Sequence, residues 1–427
     1  MPAGNLKNTL YQLALPVLGL RSPISSVQGG TEKENARLCR LLKAQHAVGA
    51  CIQRFEKGRL TDCFAAGNAR MEPCAQPVTA ETIFRTASIA KMVTALLVFR
   101  LQTLGKLNVC EELSAFLGES VQNPHYPEAP ITLGMLLNHT SSIVDSPAYF
   151  ASFQQPVPLT ELLRSPASYS GSLPGLQFRY SNFAAGLIGC LLEKRFHQSF
   201  EQLAQENLFQ PLGVSASFDL STLKEKPVAD SWRVLPRERC FDAEKRISAA
   251  ASLAEADPEH HYLLASGSLF LTAEALAELA LTAWNGHNGF LSPEGLSLMQ
   301  NPTVPWPRQE VCLRHGMGLL KLDDVCLNGM GLREGAPQIL SASFLGIRSE
   351  VLLHTLEDRG IYVSAGSACS SHKRKAAGTL AAMGMPAPQK ESTLRFSFSE
   401  ENTFEEIDYC LEVLREVVPV LRRYSRH

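Results

Sequence analysis

The chain has 427 residues, 45% of them hydrophobic and 19% charged, which is enough apolar matter for a sizeable core and length for two or three domains. A formal net charge of −2 offers no basic face for nucleic acid or an anionic membrane surface, and no stretch is long and apolar enough to span a bilayer. Eleven scattered cysteines without a Cys-x-x-Cys pair give no support to zinc or iron–sulfur ligation and suit reduced thiols in a cytoplasmic protein.

Residues 1–30 read as a flexible start rich in Gly and Ser. Within them, residues 9–20 imitate a signal segment, so export is the alternative, although Gln12 and Pro16 interrupt the run and only Lys7 precedes it. An amphipathic helix over 32–43 and a strand over 47–55 follow, the strand turning at Lys57-Gly58 into a second one. Next comes Phe84-Arg-Thr-Ala-Ser88-Ile-Ala-Lys91, which runs into Met92, Val93, Ala95, Leu96, Leu97, Phe99 and Leu101. These residues are apolar nearly all round and predict a helix buried in a core.

A serine hydroxyl is a poor nucleophile at neutral pH and needs an adjacent base. Residues three apart on a helix project from one side, so Lys91 can serve Ser88. The same Ser-x-x-Lys spacing recurs at Ser221-Thr-Leu-Lys224 and at Ser370-Ser-His-Lys373, but neither opens a buried helix.

Residues 105–175 alternate short helices with Pro-rich loops. Tyr180-Ser181-Asn182 then precedes an apolar helix over 182–196. There a phenol can shuttle protons and an amide can orient substrate, while taken alone Tyr180 reads rather as a packed aromatic and Asn182 as a helix cap. Residues 222–258 are polar and read as a loop or lid, with Trp232 and Arg233 as substrate contacts or surface anchors. His139 invites a catalytic reading and also admits a structural one, and His260-His261, beside Asp257 and Glu259, reads as a solvated pair. Another helix is expected over 272–283. Beyond a seam at Asp323-Asp324, strands over 338–344 and 394–398 with helices over 349–359 and 404–424 give an α+β module.

Several blocks then point to a family. They are Pro77-Val-Thr-Ala-Glu-Thr-Ile-Phe-Arg-Thr-Ala-Ser88-Ile-Ala-Lys91, Ile131-Thr-Leu-Gly-Met-Leu-Leu-Asn-His139-Thr140, Pro174-Gly175 leading into Tyr180-Ser-Asn182, Leu208-Phe-Gln-Pro211-Leu-Gly213, Ala265-Ser-Gly267-Ser-Leu-Phe-Leu-Thr272 and His315-Gly-Met-Gly318. In order and spacing, residues 31–322 resemble the serine beta-lactamase and penicillin-binding-protein superfamily, in its class C-like, esterase-like branch. The resemblance implies Ser88 as acylated nucleophile, Lys91 as its proton acceptor, Tyr180 as partner base or acid and Asn182 as a substrate-amide ligand. It also implies that the Ser88 backbone N–H supplies half of an oxyanion hole. The family usually has Gly where Ser142 stands. Its third motif, Lys or His followed by Thr or Ser and Gly on a strand walling the site, has no match here. That strand carries the second oxyanion donor in the family, and losing such a donor typically costs about 100- to 1000-fold in rate.

Residues 325–427 resemble the C-terminal part of class V aminotransferase-fold cysteine desulfurases, through Leu327-Asn-Gly329, Glu350-Val-Leu-Leu-His354, Gly360-Ile-Tyr-Val-Ser-Ala-Gly-Ser-Ala-Cys369 and Ser392-Thr-Leu-Arg395. This second resemblance implies a sulfur-accepting thiol at Cys369 and a carboxylate ligand at Arg395. The family's cofactor lysine, aspartate and stacking histidine all belong upstream, where this chain carries the hydrolase-like part.

The expected fold is therefore α/β (α+β): a beta-lactamase-like mixed sheet with a helical subdomain, truncated before its last strands and fused to a small α+β module. The expected segments are 1–30, 31–322 and 325–427. The expected function is a serine hydrolase, reduced by the missing motif, that acts on an ester, amide or beta-lactam in a small-molecule or peptide-like substrate. The alternatives are a sulfur-transfer protein using Cys369 and an inactive hybrid of two incomplete enzymes. No cofactor or metal is expected, with pyridoxal phosphate implied only by remote analogy, and the oligomeric state is not legible.

Overall fold

A helix with no polar face has to be covered on every side, and much of the fold follows from covering one. In the computed structural model, residues 21–56, 58–234, 238–300, 304–305, 313–322, 325–327, 339–365, 390–399 and 401–424 are described. The expectations placed on residues 1–20, on the 323–324 seam, on the 370–373 repeat and on Cys369 lie outside them. The chain divides into two compact units, Met1–Asn301 with Gly316–Leu319, and Pro302–His315 with Leu320–His427.

The first unit opens with β1 (Val27–Gln28) and α1 (Glu32–Ala44). Thr31 and Glu34 close a capping box on α1, each side chain accepting from the other's backbone N–H. The expected hairpin follows as β2 (Gly49–Glu56) and β3 (Arg59–Arg70), and β4 (Gln76–Pro77) lies against β3. The sheet order is β1-β3-β2, antiparallel throughout. With β4 beside β3 the sheet has four strands among the described residues, and β2 pairs with β3 alone.

After β5 (Phe84–Arg85), α2 (Ala90–Thr103) buries Ala90, every residue from Val93 to Phe99, and Leu101. Against it pack the helices Leu264–Gly267 and Pro293–Gln300 and the long α3 (Asn182–Phe196), itself buried from Phe183 to Glu193, and on α3 in turn lie the short helices Leu113–Leu117 and Leu133–Leu137. The chain then forms β6 (Ala216–Ser217), a hairpin of β7 (Ser231–Arg233) and β8 (Glu238–Phe241), β9 (Phe270–Leu271) and α4 (Ala273–Asn285). β9 pairs with both β5 and β6, so it holds the approach to Ser88 in place.

Two local expectations need correction. The 222–258 stretch is not a plain loop, because it carries the β7–β8 hairpin and the helix Ala243–Ser248; Arg233 pairs across the hairpin with Glu238 at 2.7 Å. His261 is not solvated with its neighbour. His260 stays exposed on Asp257, but the His261 Nδ1 sits 2.8 Å from Glu193, a fully buried carboxylate on α3 that also accepts from the backbone N–H of Phe200 and Asp257. A buried charge demands such partners. Burial pulls the His261 imidazolium down, yet the hydrogen bond and charge of Glu193 outweigh it and leave its pKa raised.

The second unit has a three-stranded antiparallel sheet of β10 (Val304–Pro305), β11 (Leu313–His315) and β12 (Leu320–Leu322). It continues with β13 (Val325–Leu327), β14 (Ile339–Phe344), α5 (Ser349–Glu357), β15 (Ser364–Ala365), β16 (Thr393–Ser397) and α6 (Phe404–Tyr424). These strands run in the order β13-β14-β16-β15, and Phe344, Leu394 and Phe396 meet Leu352 and Leu356 of α5 and Val413, Leu414 and Val417 of α6 in one core. The architecture is the expected α/β one, with helices and several small antiparallel sheets. No helix among the described residues is long and apolar enough to cross a membrane.

Gly186 lets α3 lie directly on the chain, since a Cβ there would run into the Tyr262 carbonyl oxygen. Gly186→Ala is expected to lower the unfolding free energy by about 1–3 kcal/mol or more, whereas Gly171→Ala, in open space, leaves it unchanged; denaturant unfolding of both variants checks this.

Candidate active site

The entry to α2 is pinned before it is catalytically arranged. Thr86 gives both its N–H and its Oγ1 hydrogen to the Leu269 carbonyl, each at 3.0 Å. Ala87 then adopts a left-handed backbone, φ 46°, and Ala87–Ile89 forms a 3-10 turn leading into the helix. A non-glycine residue with positive φ persists only where its surroundings over-determine it. The result leaves Ser88 exposed at the turn with Lys91 three residues on, in the first turn of α2.

The Lys91 Nζ donates to three acceptors: Ser88 Oγ at 3.3 Å, Asn182 Oδ1 at 2.9 Å and the Ser266 carbonyl at 2.7 Å. Three N–H groups thus meet three oxygens from three separate stretches of chain. The Tyr180 Oη donates to Ser88 Oγ at 2.9 Å, and its ring centroid lies 5.0 Å from the Lys91 Nζ. Behind Tyr180, His139 is buried with its ring 4.7 Å from the tyrosine ring and its Nδ1 accepting from the Ser181 N–H at 3.3 Å. Ser88, Lys91, Tyr180 and Asn182 are therefore brought together. Arg395 stands exposed on β16, opposite Ser341, in the second unit.

Asn182 is not the helix cap. Ser181 is, its Oγ accepting from the Ala184 N–H at 3.0 Å. The Asn182 amide is held at both ends, because its Nδ2 donates to Asp145 Oδ2 at 2.9 Å while its oxygen faces Lys91. The other Asp145 oxygen accepts from Ser181 Oγ and from the Phe183 N–H, both at 2.9 Å. Asp145 thereby also sets a negative charge at the N-terminus of α3, where the helix dipole favours it. Sequence reasoning missed this residue. Its partners lie 36 to 38 positions away, so no local spacing marks it.

Ser142, where the resembled family usually has Gly, has φ 65°. A glycine would take that conformation freely. Here the serine's Oγ accepts from Asn123 Nδ2 at 2.9 Å, a bond glycine lacks. No group of three or more His, Cys, Asp or Glu side chains suited to a metal ion occurs among the described residues.

The profile of the beta-lactamase family matches residues 37–325. The chain belongs to the beta-lactamase family. A second profile, aminotransferase class V, matches residues 313–410 of this beta-lactamase-family chain. Similar solved structures include an octameric penicillin-binding protein homologue from Pyrococcus abyssi (TM-score 0.50, 20% identity, 80% of this chain and 68% of that one). EstCE1, described as a hydrolase with promiscuous acyltransferase activity, is also similar (TM-score 0.52, 19% identity, 87% of this chain and 93% of that one). At such identities they show the shared fold. The C-terminal part is similar to a NifS/IcsS protein homolog of Lactobacillus delbrueckii subsp. bulgaricus, 48% identical over 82 residues, 19% of this chain and 21% of the relative. It is likewise similar to the cysteine desulfurase IscS of Photorhabdus laumondii, 39% identical over 113 residues, 26% and 27% of the two chains. The beta-lactamase-family chain thus spans about a quarter or less of the length of these curated relatives.

Asp145→Ala leaves the Ser181 and Phe183 donors without their acceptor and frees the Asn182 amide to rotate. The expected result is a loss of about 1–3 kcal/mol in unfolding free energy, read by denaturant titration, while Asp145→Asn loses less.

Proposed function

We propose that this protein is a serine hydrolase acting through an acyl-enzyme on Ser88, with an ester, small amide or beta-lactam as substrate. The observation that carries the reading is the convergence of Tyr180 Oη and Lys91 Nζ on one exposed hydroxyl, at 2.9 and 3.3 Å. In this mechanism Lys91 reacts as the neutral amine: its two N–H groups keep Asn182 Oδ1 and the Ser266 carbonyl, its lone pair faces Ser88 Oγ, and as that oxygen attacks the substrate carbonyl carbon its proton passes to the Lys91 nitrogen. The ammonium so formed has acceptors already in place at Asn182 Oδ1 and the Ser266 carbonyl. Tyr180 gives its proton to the leaving alcohol or amine as the carbonyl re-forms, and water releases the acyl group by the same route in reverse. The Ser88 N–H, at the unpaired start of a helical segment, is the natural first oxyanion donor.

Asn182 fits this scheme better as the group that orients Lys91 than as a substrate ligand alone, because both ends of its amide are engaged. A hydrolase over 31–322 with a separate module over 325–427 is the domain division that goes with this function. The absence of a third-motif match points to slow turnover. EstCE1's printed description as a hydrolase and acyltransferase supports an acyl donor as substrate.

Pyridoxal phosphate does not fit. Lys91, the lysine of this cluster, is committed to Ser88, Asn182 and Ser266. The desulfurase likeness covers only a C-terminal part whose cofactor lysine would lie upstream. The 48% identity of the C-terminal part favours one second reading, in which Cys369 carries sulfur delivered by a complete desulfurase.

Intact mass after incubation with a fluorophosphonate tests the main reading. One phosphonyl adduct per chain is expected on the wild type, with loss of fluoride, and none on Ser88→Ala. Absence of an adduct on folded wild-type protein contradicts the proposal.

A further inference from the structure

Cys51 on β2 and Cys63 on β3 lie with their sulfurs 3.5 Å apart. The register explains the meeting: Cys51 is opposite Ala65 and Gln53 is opposite Cys63, so the two cysteines form a diagonal pair on one face of the hairpin. The right-handed twist of paired strands shortens one diagonal and brings such residues into contact. Both thiols are free and half-buried, within reach of small reagents. Closing the remaining gap to a sulfur–sulfur bond takes about 1.5 Å of movement, shared between the two side chains. β2 is well placed to move, because among the described residues it pairs with β3 alone.

We propose that Cys51 and Cys63 form a dithiol modification site that reacts with a low-molecular-weight disulfide such as oxidised glutathione and closes to an intramolecular disulfide, stapling the edge strand β2 to β3. Attack begins at Cys63. Its thiolate displaces one glutathione thiolate and forms a mixed disulfide. Cys51 then loses its proton and attacks the Cys63 sulfur, releasing the second glutathione thiolate. Two cysteine thiols are oxidised, one glutathione disulfide is reduced to two thiols, and the two protons end on those thiols. Burial, and then the neighbouring Cys63 sulfur, push the Cys51 thiol up to about 12, which disfavours a resting thiolate there and assigns Cys51 the resolving step. With no stabilised thiolate at Cys51, the reduced state lacks the stabilisation that makes strongly oxidising pairs easy to reduce.

The test is oxidation of the folded full-length chain with oxidised glutathione, followed by alkylation, digestion and mass spectrometry. The expected result is a Cys51–Cys63 cross-linked peptide that dithiothreitol removes, with thermal unfolding shifted upward by several degrees. Cys51→Ser should trap glutathione on Cys63, and Cys63→Ser should give no cross-link. The proposal is overturned if both residues of the wild type are recovered alkylated, or if they cross-link no more often than the exposed Cys74, Cys110 and Cys240. Wild-type mapping decides the matter even if a variant fails to fold.

Discussion

The site depends on where one ammonium group finds its hydrogen-bond acceptors. Lys91 leaves a helix whose other residues are mostly buried, and its Nζ reaches a side chain on the preceding turn, an amide at the start of α3 and a carbonyl in the segment preceding β9. Those three bonds tie the nucleophile's turn to the two elements that pack against α2. The catalytic arrangement is thus also a structural junction, and a change at any of the three acceptors is felt by the others.

Around that junction the backbone departs from ordinary geometry. Ala87, His139 and Ser142 all have positive φ without being glycine. Each is restrained by neighbours: Thr86 on Leu269, the His139 carbonyl accepting from the Arg179 N–H at 2.7 Å, and Ser142 on Asn123. Backbone strain of this kind, of order 1–3 kcal/mol per residue, collects at functional sites because it aims side chains that relaxed backbone would not. Here it aims the Ser88 hydroxyl outward and sets the His139 ring behind Tyr180.

Local pattern made much of the fold legible. The apolar run beginning at Asn182 gives α3 with the expected bounds, the turn at Gly58 gives the β2–β3 hairpin, and the final amphipathic stretch gives α6. The serine, lysine, tyrosine and asparagine were legible as short spacings next to buried helices. What escaped depends on distant partners. Asp145, between Val144 and Ser146, is explained only by groups at the start of α3. Glu193 and His261 are 68 positions apart, and neither announces the buried pair they form. The β7–β8 hairpin was hidden by polar composition, since its strands are short and exposed on one face.

The first unit's sheet, with four strands drawn from residues 27–77 among those described, leaves β2 as an edge. An edge strand is a pairing hazard that proteins usually cover or blunt, and the sulfur pair between β2 and β3 is one chemical means of fixing it to its neighbour. The central claim, that Lys91 activates Ser88, is tested most directly by the second-order rate of phosphonylation in Lys91→Met against wild type, at matched folded fraction. A fall of about 100- to 10,000-fold is the expected loss of a general base; a rate equal to that of the wild type would contradict it.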